Sequence, residues 1–186
     1  MQWTFEKTAL AGVFVVTPPV FGDERGFFKE TYSAAVFRDN GIAVDFVQDN
    51  HSWSKHAGTL RGIHFQTGAQ AQAKLVRCVA GRILDIAVDL GRSSPTFARW
   101  IATELSPGNH RQLYVPAGFG HAFLTLEDDC EVLYSVSRPY SRAHDAAVRW
   151  DDTDIAIDWP VGPADVILSQ KDAAAPLLRD APVLFD

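Results

Sequence analysis

Thr59-Leu60-Arg61-Gly62-Ile63-His64-Phe65-Gln66 is the stretch around which the rest of the chain is organised. Its β-branched and aromatic residues, with one glycine near the start and no proline, predict a short β-strand. His64 stands between two apolar residues, where a base would be partly shielded from water. Arg61 lies three residues earlier, and the next polar residue expected on a strand is Lys74. A histidine base, a lysine cation and an arginine anchor on neighbouring strands suit proton abstraction next to a carbonyl of an anionic substrate.

The positions of Arg61 and His64 within this strand conflict with simple alternation. Residues three apart on a strand point to opposite faces of the sheet. Both side chains reach one site only if Gly62 marks a bulge, or if Arg61 lies at the rim of a barrel. The sequence leaves both possibilities open.

The rest of the chain predicts an all-β protein with many short strands separated by Gly/Pro turns. We expect a hairpin of 74–79 and 82–90 around Ala80-Gly81, with the alternation in the second strand typical of a half-buried strand. One short helix is predicted over 33–38, capped by Ser33, and the polar run 51–58 is expected to be a loop. The region after Ser141 should pack outside the sheets. The other predicted strands are 12–16, 27–32, 44–50, 98–105, 111–115, 119–126 and 130–137.

Strands with this spacing form a sandwich or a barrel, and inward-facing polar residues favour a barrel with a cavity. With 186 residues the chain is expected to be one domain, 1–186. The formal net charge of -6 argues against nucleic-acid binding. Cys78 and Cys130 are expected to be reduced, buried strand residues. We find no signal peptide and no apolar run long enough to span a membrane, so the cytoplasm is the expected location.

Several side chains besides Arg61 could take part in chemistry. His64 is a candidate base, and Asp172 is one of several distant acids that could hold its ring. Lys74 shares a strand face with apolar residues, which is costly unless it meets an anion. Tyr134 lies on an apolar strand face, as either a core residue or a general acid. Arg25 lies next to a glycine and could bind phosphate oxygens or stand on the surface.

A metal site is a further possibility that the sequence disfavours. His121 could be a ligand, a second base or a packed histidine. Metal-binding cupins usually have two histidines separated by one residue, a nearby glutamate and a later histidine. Here Gly62 stands where the first of the pair would fall, and no glutamate follows His64 closely. Two isolated histidines make a weak metal site, so we expect none.

Ordered motifs along the chain resemble the dTDP-4-dehydrorhamnose 3,5-epimerase family. The resemblance runs from about Gly12 to Pro176. Its motifs are Arg25-Gly26-Phe27-Phe28-Lys29-Glu30, Gln48-Asp49-Asn50, Arg61-Gly62-Ile63-His64-Phe65-Gln66, Lys74-Leu75-Val76-Arg77, 85–89, Ser94-Pro95-Thr96-Phe97, 115–123 and Ser169-Gln170-Lys171-Asp172.

The resemblance implies a cupin-like double-stranded β-helix, or jelly-roll barrel, with one or a few short helices. It implies a homodimer without metal or cofactor that epimerises C3 and C5 of dTDP-4-dehydro-6-deoxy-D-glucose, giving dTDP-4-dehydro-L-rhamnose for dTDP-L-rhamnose biosynthesis. His64 would be the proton acceptor, Tyr134 the proton donor and Asp172 the partner of His64, while Lys74 would lie near the C4 oxygen. The implied substrate contacts are Arg25, Glu30, Gln48, Asn50, Arg61, His121, Asp145 and Lys171.

Two positions depart from the family pattern. Ser135 replaces a common lysine and is expected at the rim of the barrel, and Asp145 replaces a common glutamate. Three alternatives remain open. One is a single-carbon epimerase of another dTDP-4-keto-6-deoxysugar, which would share every core residue. The others are a non-catalytic jelly roll that binds sugar nucleotides and a metal-dependent cupin dioxygenase or isomerase.

Overall fold

A computed structural model describes residues 2–181 and 184–186 of the protein. This part of the chain is mainly β-structure with two short α-helices, α1 (Ala34–Asp39) and α2 (Gln170–Ala173). The strands are β1 (Thr4–Lys7), β2 (Phe14–Thr17), β3 (Phe21–Asp23), β4 (Gly26–Phe28), β5 (Gln48–Ser54), β6 (Leu60–Gln66), β7 (Lys74–Ala80), β8 (Ile83–Asp89), β9 (Trp100–Leu105), β10 (Gln112–Val115), β11 (Phe119–Thr125), β12 (Cys130–Val136) and β13 (Asp145–Ala147).

Two antiparallel sheets form the body of the molecule. One has six strands in the order β1-β2-β10-β7-β12-β5, and the other has five in the order β13-β6-β11-β8-β9. Apolar side chains from both sheets meet in one core, among them Val76 and Val132 from the first and Ala87 and Phe123 from the second. The all-β, cupin-like jelly-roll prediction is confirmed. Both sheets are open, so the cavity lies between two facing sheets and not inside one closed barrel.

The predicted hairpin of β7 and β8 is wrong. β7 pairs with β10 and β12, whereas β8 pairs with β9 and β11 in the other sheet. Val76 on β7 and Ile83 on β8 enter the same core. The two strands therefore face each other across the core, because both bury an apolar face there.

The prediction that β8 is half-buried is also wrong. Ala87 points into the core between the sheets, while Ile86 and Val88 pack in a second apolar cluster on the outer side. That cluster includes Val148 and Leu178 from the region after Ser141. The expected packing outside the sheets is therefore confirmed for this part of the region, which buries the second face of the strand. It is wrong for β13, which joins the five-stranded sheet beside β6, and for α2, whose Asp172 reaches the cavity.

Several element boundaries differ from the prediction. β5 covers Gln48–Ser54, so part of the run expected as a loop is a strand whose outward residues are polar or exposed. The strand expected over 27–32 is shorter: β4 ends at Phe28 and pairs with β3 in a separate two-stranded hairpin. Helix α1 follows Ser33 as predicted, but α2 was not foreseen.

Both cysteines are free and buried, as expected. Within the described residues, no helix has the length and apolar character needed to cross a membrane.

Candidate active site

A bulge in β6 brings Arg61 and His64 to the same side of the sheet. His64 is opposite His121 on β11, while Arg61 is opposite Phe123, so three steps along β6 match two along β11. The extra residue falls at Gly62, whose φ is 136°. A Cβ added there would lie 2.4 Å from the Cβ of Ala122, so only glycine fits. Of the two explanations left open by the sequence, the bulge is correct.

His64 is held by a buried carboxylate on a different part of the chain. Its Nε2 is hydrogen-bonded to Oδ1 of Asp172, which is only 2% exposed. Ser169 caps α2 by accepting the Asp172 N–H at 3.1 Å and donates its hydroxyl to Oδ2 of Asp172 at 2.9 Å. Burial alone would raise the pKa of Asp172, but its contacts with His64, Ser169 and Lys171 outweigh burial and lower it. An ionised Asp172 can stabilise a positive charge on His64 when that ring accepts a proton.

Lys74 begins β7 in the facing sheet, and its side chain turns into the cavity. It is 7% exposed and donates to the carbonyl oxygen of His64 at 3.3 Å. Burial lowers its pKa to about 8, against the opposing effects of Asp85 and Asp145, while Lys171 lowers it further. A weakly solvated ammonium group of this kind is suited to meet an oxyanion.

Tyr134 stands on β12 of the same sheet as Lys74, opposite Asn50 and Val76 on its two neighbours. Burial raises the pKa of its phenol, and the positive charge of Arg61 partly opposes this. The phenol is therefore protonated at neutral pH and can donate a proton into the cavity.

The residues above line two adjoining cavities between the sheets. The main cavity has a volume of about 370 Å³ and the side cavity about 200 Å³. His64, Lys74, Tyr134 and Lys171 line both. His64 comes from the five-stranded sheet and the lysine–tyrosine pair from the six-stranded sheet, so a histidine and a tyrosine lie on opposite walls of one space.

Most of the predicted contact residues surround these cavities. Arg61, His121 and Asp172 line the main cavity, and Gln48, Asn50 and Asp145 line the side cavity. Lys171 forms an ion pair with Asp145, and the Tyr140 hydroxyl donates to the same carboxylate. The shorter aspartate at position 145 thus still meets two partners at the cavity wall.

Arg25 and Glu30 are not brought to the cavities of their own chain. Arg25 lies on the exposed β3–β4 hairpin and is paired with Asp23. Glu30 is exposed just beyond this hairpin. The hydroxyl of Ser135, the residue expected at the rim, donates to Asp49 on the sheet face opposite Tyr134.

His121 is buried behind the main cavity and held by a second carboxylate. Its Nε2 lies 2.8 Å from Oδ1 of Asp85, and both side chains are almost inaccessible. Burial lowers the pKa of His121, although Asp85 opposes the effect. The ring is therefore neutral at physiological pH and can offer its remaining nitrogen to a ligand.

The polar lining residues that sequence analysis did not assign to the site include Ser52, Ser169 and Tyr140. Ser52 lines the main cavity, and its buried hydroxyl has no hydrogen-bond partner among the described residues. It shares a face of β5 with Asn50, so extending that strand by alternation would have found it. Ser169 and Tyr140 lie in turns or short helical segments, where strand alternation gives no signal.

No group of three or more His, Cys, Asp or Glu side chains in residues 2–181 and 184–186 is arranged to hold a metal ion. His64 and His121 each use Nε2 for a hydrogen bond to a separate carboxylate, Asp172 and Asp85 respectively. The polar groups that face the cavities are instead hydrogen-bonding and cationic groups suited to an anionic organic ligand.

Comparisons with known proteins agree on one family. The sequence matches the family model of dTDP-4-dehydrorhamnose 3,5-epimerase over residues 7–180. The dTDP-4-dehydrorhamnose 3,5-epimerase of Salmonella typhimurium is 49% identical over 176 residues, which make up 94% of this chain and 95% of the relative.

Solved structures give the same result. The fold matches a dTDP-6-deoxy-D-glucose-3,5-epimerase from Legionella pneumophila, in complex with dTDP-4-keto-L-rhamnose. The TM-score is 0.91 and the identity 40%, covering 96% of this chain and 94% of that one. A 3'-monoepimerase from Streptomyces bikiniensis, in complex with dTDP-quinovose, matches with a TM-score of 0.86 and 34% identity, covering 94% and 87%.

Proposed function

This chain belongs to the dTDP-4-dehydrorhamnose 3,5-epimerase family, and we propose that it inverts C3 and C5 of dTDP-4-dehydro-6-deoxy-D-glucose by proton transfer through an enolate. The observation that carries the mechanism is the placement of His64 and Tyr134 on facing sheets around one cavity. Inversion requires that a proton leaves one face of the carbon and returns to the other, which two groups on opposite walls can achieve.

The C4 ketone makes the protons on C3 and C5 acidic. His64 removes one of them, and the ionised Asp172 stabilises the imidazolium that forms. The electron pair moves into the C3–C4 or C4–C5 bond and leaves an enolate oxygen at C4. Lys74, buried and cationic below its pKa, holds that oxygen.

Tyr134 completes each inversion by giving its phenolic proton to the opposite face of the carbon. Before the second carbon reacts, the His64 imidazolium releases its proton to water and the Tyr134 phenolate takes a proton from water. Correctly placed acid and base groups contribute roughly 10²–10⁴-fold to such a step. Enolate stabilisation by a preorganised cation adds to this contribution.

The nucleotide part requires anion and base recognition outside the reacting centre. We assign Arg61, His121 and Lys171 to contacts with the substrate in the main cavity, and Gln48, Asn50 and Asp145 to contacts in the side cavity. We propose the cytoplasm as the compartment, where two free, buried cysteines would stay reduced. The product would enter dTDP-L-rhamnose biosynthesis.

We also propose a homodimer in which Arg25 and Glu30 reach the partner's cavity. In their own chain these residues lie outside both cavities, on and just after the β3–β4 hairpin. That hairpin exposes Phe21, Phe27 and Phe28, each more than half accessible. An exposed apolar patch of this kind favours association with another surface.

Product analysis tests the proposed reaction. Purified protein is incubated with dTDP-4-dehydro-6-deoxy-D-glucose, and the ketone is then reduced with borohydride and the sugar released. We expect L-rhamnose and its C4 epimer, 6-deoxy-L-talose. Conversion only to 6-deoxy-D-allose and 6-deoxy-D-gulose would instead identify inversion at C3 alone, the second candidate, which the match to a 3'-monoepimerase keeps open. Recovery of only 6-deoxy-D-glucose and 6-deoxy-D-galactose, the reduction products of unconverted substrate, from a protein that still binds the nucleotide would indicate the non-catalytic alternative.

A further inference from the structure

Asp85 is a buried carboxylate directly behind the active site. It lies on β8 opposite Phe123 of β11, and its accessibility is 0%. Oδ1 accepts a hydrogen bond from the ring of His121 at 2.8 Å. Oδ2 is buried and has no hydrogen-bond partner among the described residues. A carboxylate oxygen left in this state is costly unless a nearby positive charge compensates for it.

Lys74 is the cation that can compensate. It enters the core from the facing sheet, and the negative charge of Asp85 opposes the lowering of its pKa by burial. Its ammonium group has three donors, and the one hydrogen bond that it makes within the described residues goes to the carbonyl of His64. Lys74 and His121 both line the main cavity, whereas Asp85 does not. Asp85 therefore acts on the cavity through these two residues.

We propose that Asp85 is a positioning residue for the epimerisation, holding His121 with one oxygen and keeping Lys74 cationic at the C4 oxygen with its buried charge. This inference rests on the proposed function of the site. It gives the otherwise unexplained second oxygen of Asp85 a role, and it explains how a lysine can stay charged at a site that is nearly closed to water.

Other charged and titratable groups also face Lys74. Asp145 on β13 supports its charge as well, but this carboxylate is ion-paired with Lys171, which opposes that charge. Asp85 carries no such cationic partner of its own among the described residues. The other titratable or charged groups that line the main cavity with Lys74 are Arg61 and His64 on β6, His121 on β11, Tyr134 on β12 and Asp172 on α2.

The test is the pH dependence of kcat/KM for Asp85→Asn and wild type with dTDP-4-dehydro-6-deoxy-D-glucose. The asparagine can still accept from His121 but carries no charge. In this variant, burial lowers the pKa of Lys74 without the opposing charge of Asp85. We therefore expect the alkaline limb of the kcat/KM profile, where activity falls as pH rises, to shift to lower pH by about 1 unit. The decrease in kcat/KM at pH 8 should come mainly from a lower kcat. Asp85→Glu, which keeps the charge, should return the alkaline limb most of the way to its wild-type pH.

Asp89→Asn is the matched control. Asp89 is a buried carboxylate on the same strand, but its oxygens accept from Ser94, Thr96 and the Gly91 N–H, away from the cavity. We expect its alkaline limb to coincide with that of wild type. An unmoved limb in Asp85→Asn, or an equal shift in both variants, would overturn the inference.

A double-mutant cycle gives a second test of the pairing between Asp85 and Lys74. Lys74→Met and Lys74→Met/Asp85→Asn are compared by thermal melting, a measurement that does not depend on the activity. We expect Asp85→Asn to lower the Tm much less in the methionine background than in wild type; equal losses would contradict the pairing. Failure of the proposed function would look different, because wild type itself would then convert no substrate.

Discussion

Lys74 carries its charge at the start of a buried strand, where water cannot solvate it well. Its pKa is lowered by burial to about 8, from an ordinary value of 10.5. Below pH 8 both the folded and the unfolded chain hold this proton, so the cost of burying the charge is fully present. Between about pH 8 and 10.5 the unfolded chain binds the proton more tightly, and the contribution of Lys74 to stability therefore becomes more favourable as pH rises.

This predicts a specific difference between wild type and Lys74→Met. Urea unfolding of both proteins is measured from pH 7 to pH 9.5. We expect the free energy of unfolding of wild type to rise relative to that of the variant by about 1 kcal/mol between pH 8 and pH 9. Comparing the two proteins cancels the titration of other groups. Parallel profiles would show that Lys74 titrates normally and is better solvated than its burial indicates.

At the scale of single residues, sequence analysis predicted the candidate reacting groups and the partner of His64, but not the residues behind them. His64, Lys74, Tyr134 and Asp172 were all predicted, and the structure brings them together. The pairing of His64 with Asp172 was implied by the resemblance, because strand patterns cannot join residues 108 positions apart. Asp85 enters the sequence analysis only as part of the alternating strand 82–90 and of the motif 85–89, since nothing in its neighbours indicates burial on both faces.

At the scale of elements, the bulge in β6 decides whether the site can form. The bulge turns Arg61 and His64 to the same side, and it requires the backbone of Gly62 to approach β11 closely. From the sequence, alternation places Arg61 and His64 on opposite faces, and a bulge at Gly62 is one of two ways to bring them to one site. The sequence alone does not distinguish the bulge from a rim position of Arg61, because a bulge depends on the partner strand as much as on its own residues.

Gly62→Ala tests the importance of this bulge. Its Cβ would meet Ala122 at 2.4 Å and the carbonyl oxygen of His121 at 2.8 Å, at a φ of 136°. We expect a loss of about 3 kcal/mol in the free energy of unfolding, and a loss of activity beyond what the lower stability explains.

Gly118→Ala is the control for the cost of a positive φ without a steric clash. Gly118 also has a positive φ, 98°, but no atom lies within 4 Å of its added Cβ. Its loss of stability should be smaller than that of Gly62→Ala by the cost of the steric clash. If both substitutions cost the same, the close approach to β11 contributes nothing.

The connection between β7 and β8 shows where local pattern fails for elements. Two alternating strands around Ala80-Gly81 predict a hairpin, and yet the strands lie in different sheets. Alternation reports which residues are buried but not which strand is the neighbour. In a fold with two facing sheets, consecutive strands can bury their apolar faces against each other instead of pairing edge to edge.

At the scale of the whole molecule, the unexplained feature is an exposed hairpin carrying predicted site residues. Arg25 is on this hairpin and outside the cavities of its own chain. The proposed homodimer accounts for this, because one subunit would supply Arg25 to the cavity of the other. Each active site would then contain residues from two chains.

Co-expression of two inactive variants tests this arrangement. Arg25→Ala and His64→Ala should each be strongly impaired alone. In mixed dimers one of the two sites would receive both substitutions and the other neither. With random pairing, we expect about a quarter of the wild-type activity to return. Mixing His64→Ala with Tyr134→Phe is the control, because both residues belong to one cavity and no intact site can form. Activity that stays at the level of the single variants in both mixtures would contradict a shared site.

In the proposed mechanism, His64 removes the substrate proton and Tyr134 returns one from the opposite wall of the cavity. The most direct measurement is mass spectrometry of dTDP-4-dehydro-6-deoxy-D-glucose incubated in D₂O with wild type, His64→Ala and Tyr134→Phe, with product stereochemistry determined alongside. We predict deuterium at C3 and C5 with wild type, none with His64→Ala, and deuterium without inverted product with Tyr134→Phe. Near-normal deuterium incorporation by His64→Ala would show that His64 is not the base that removes the substrate proton.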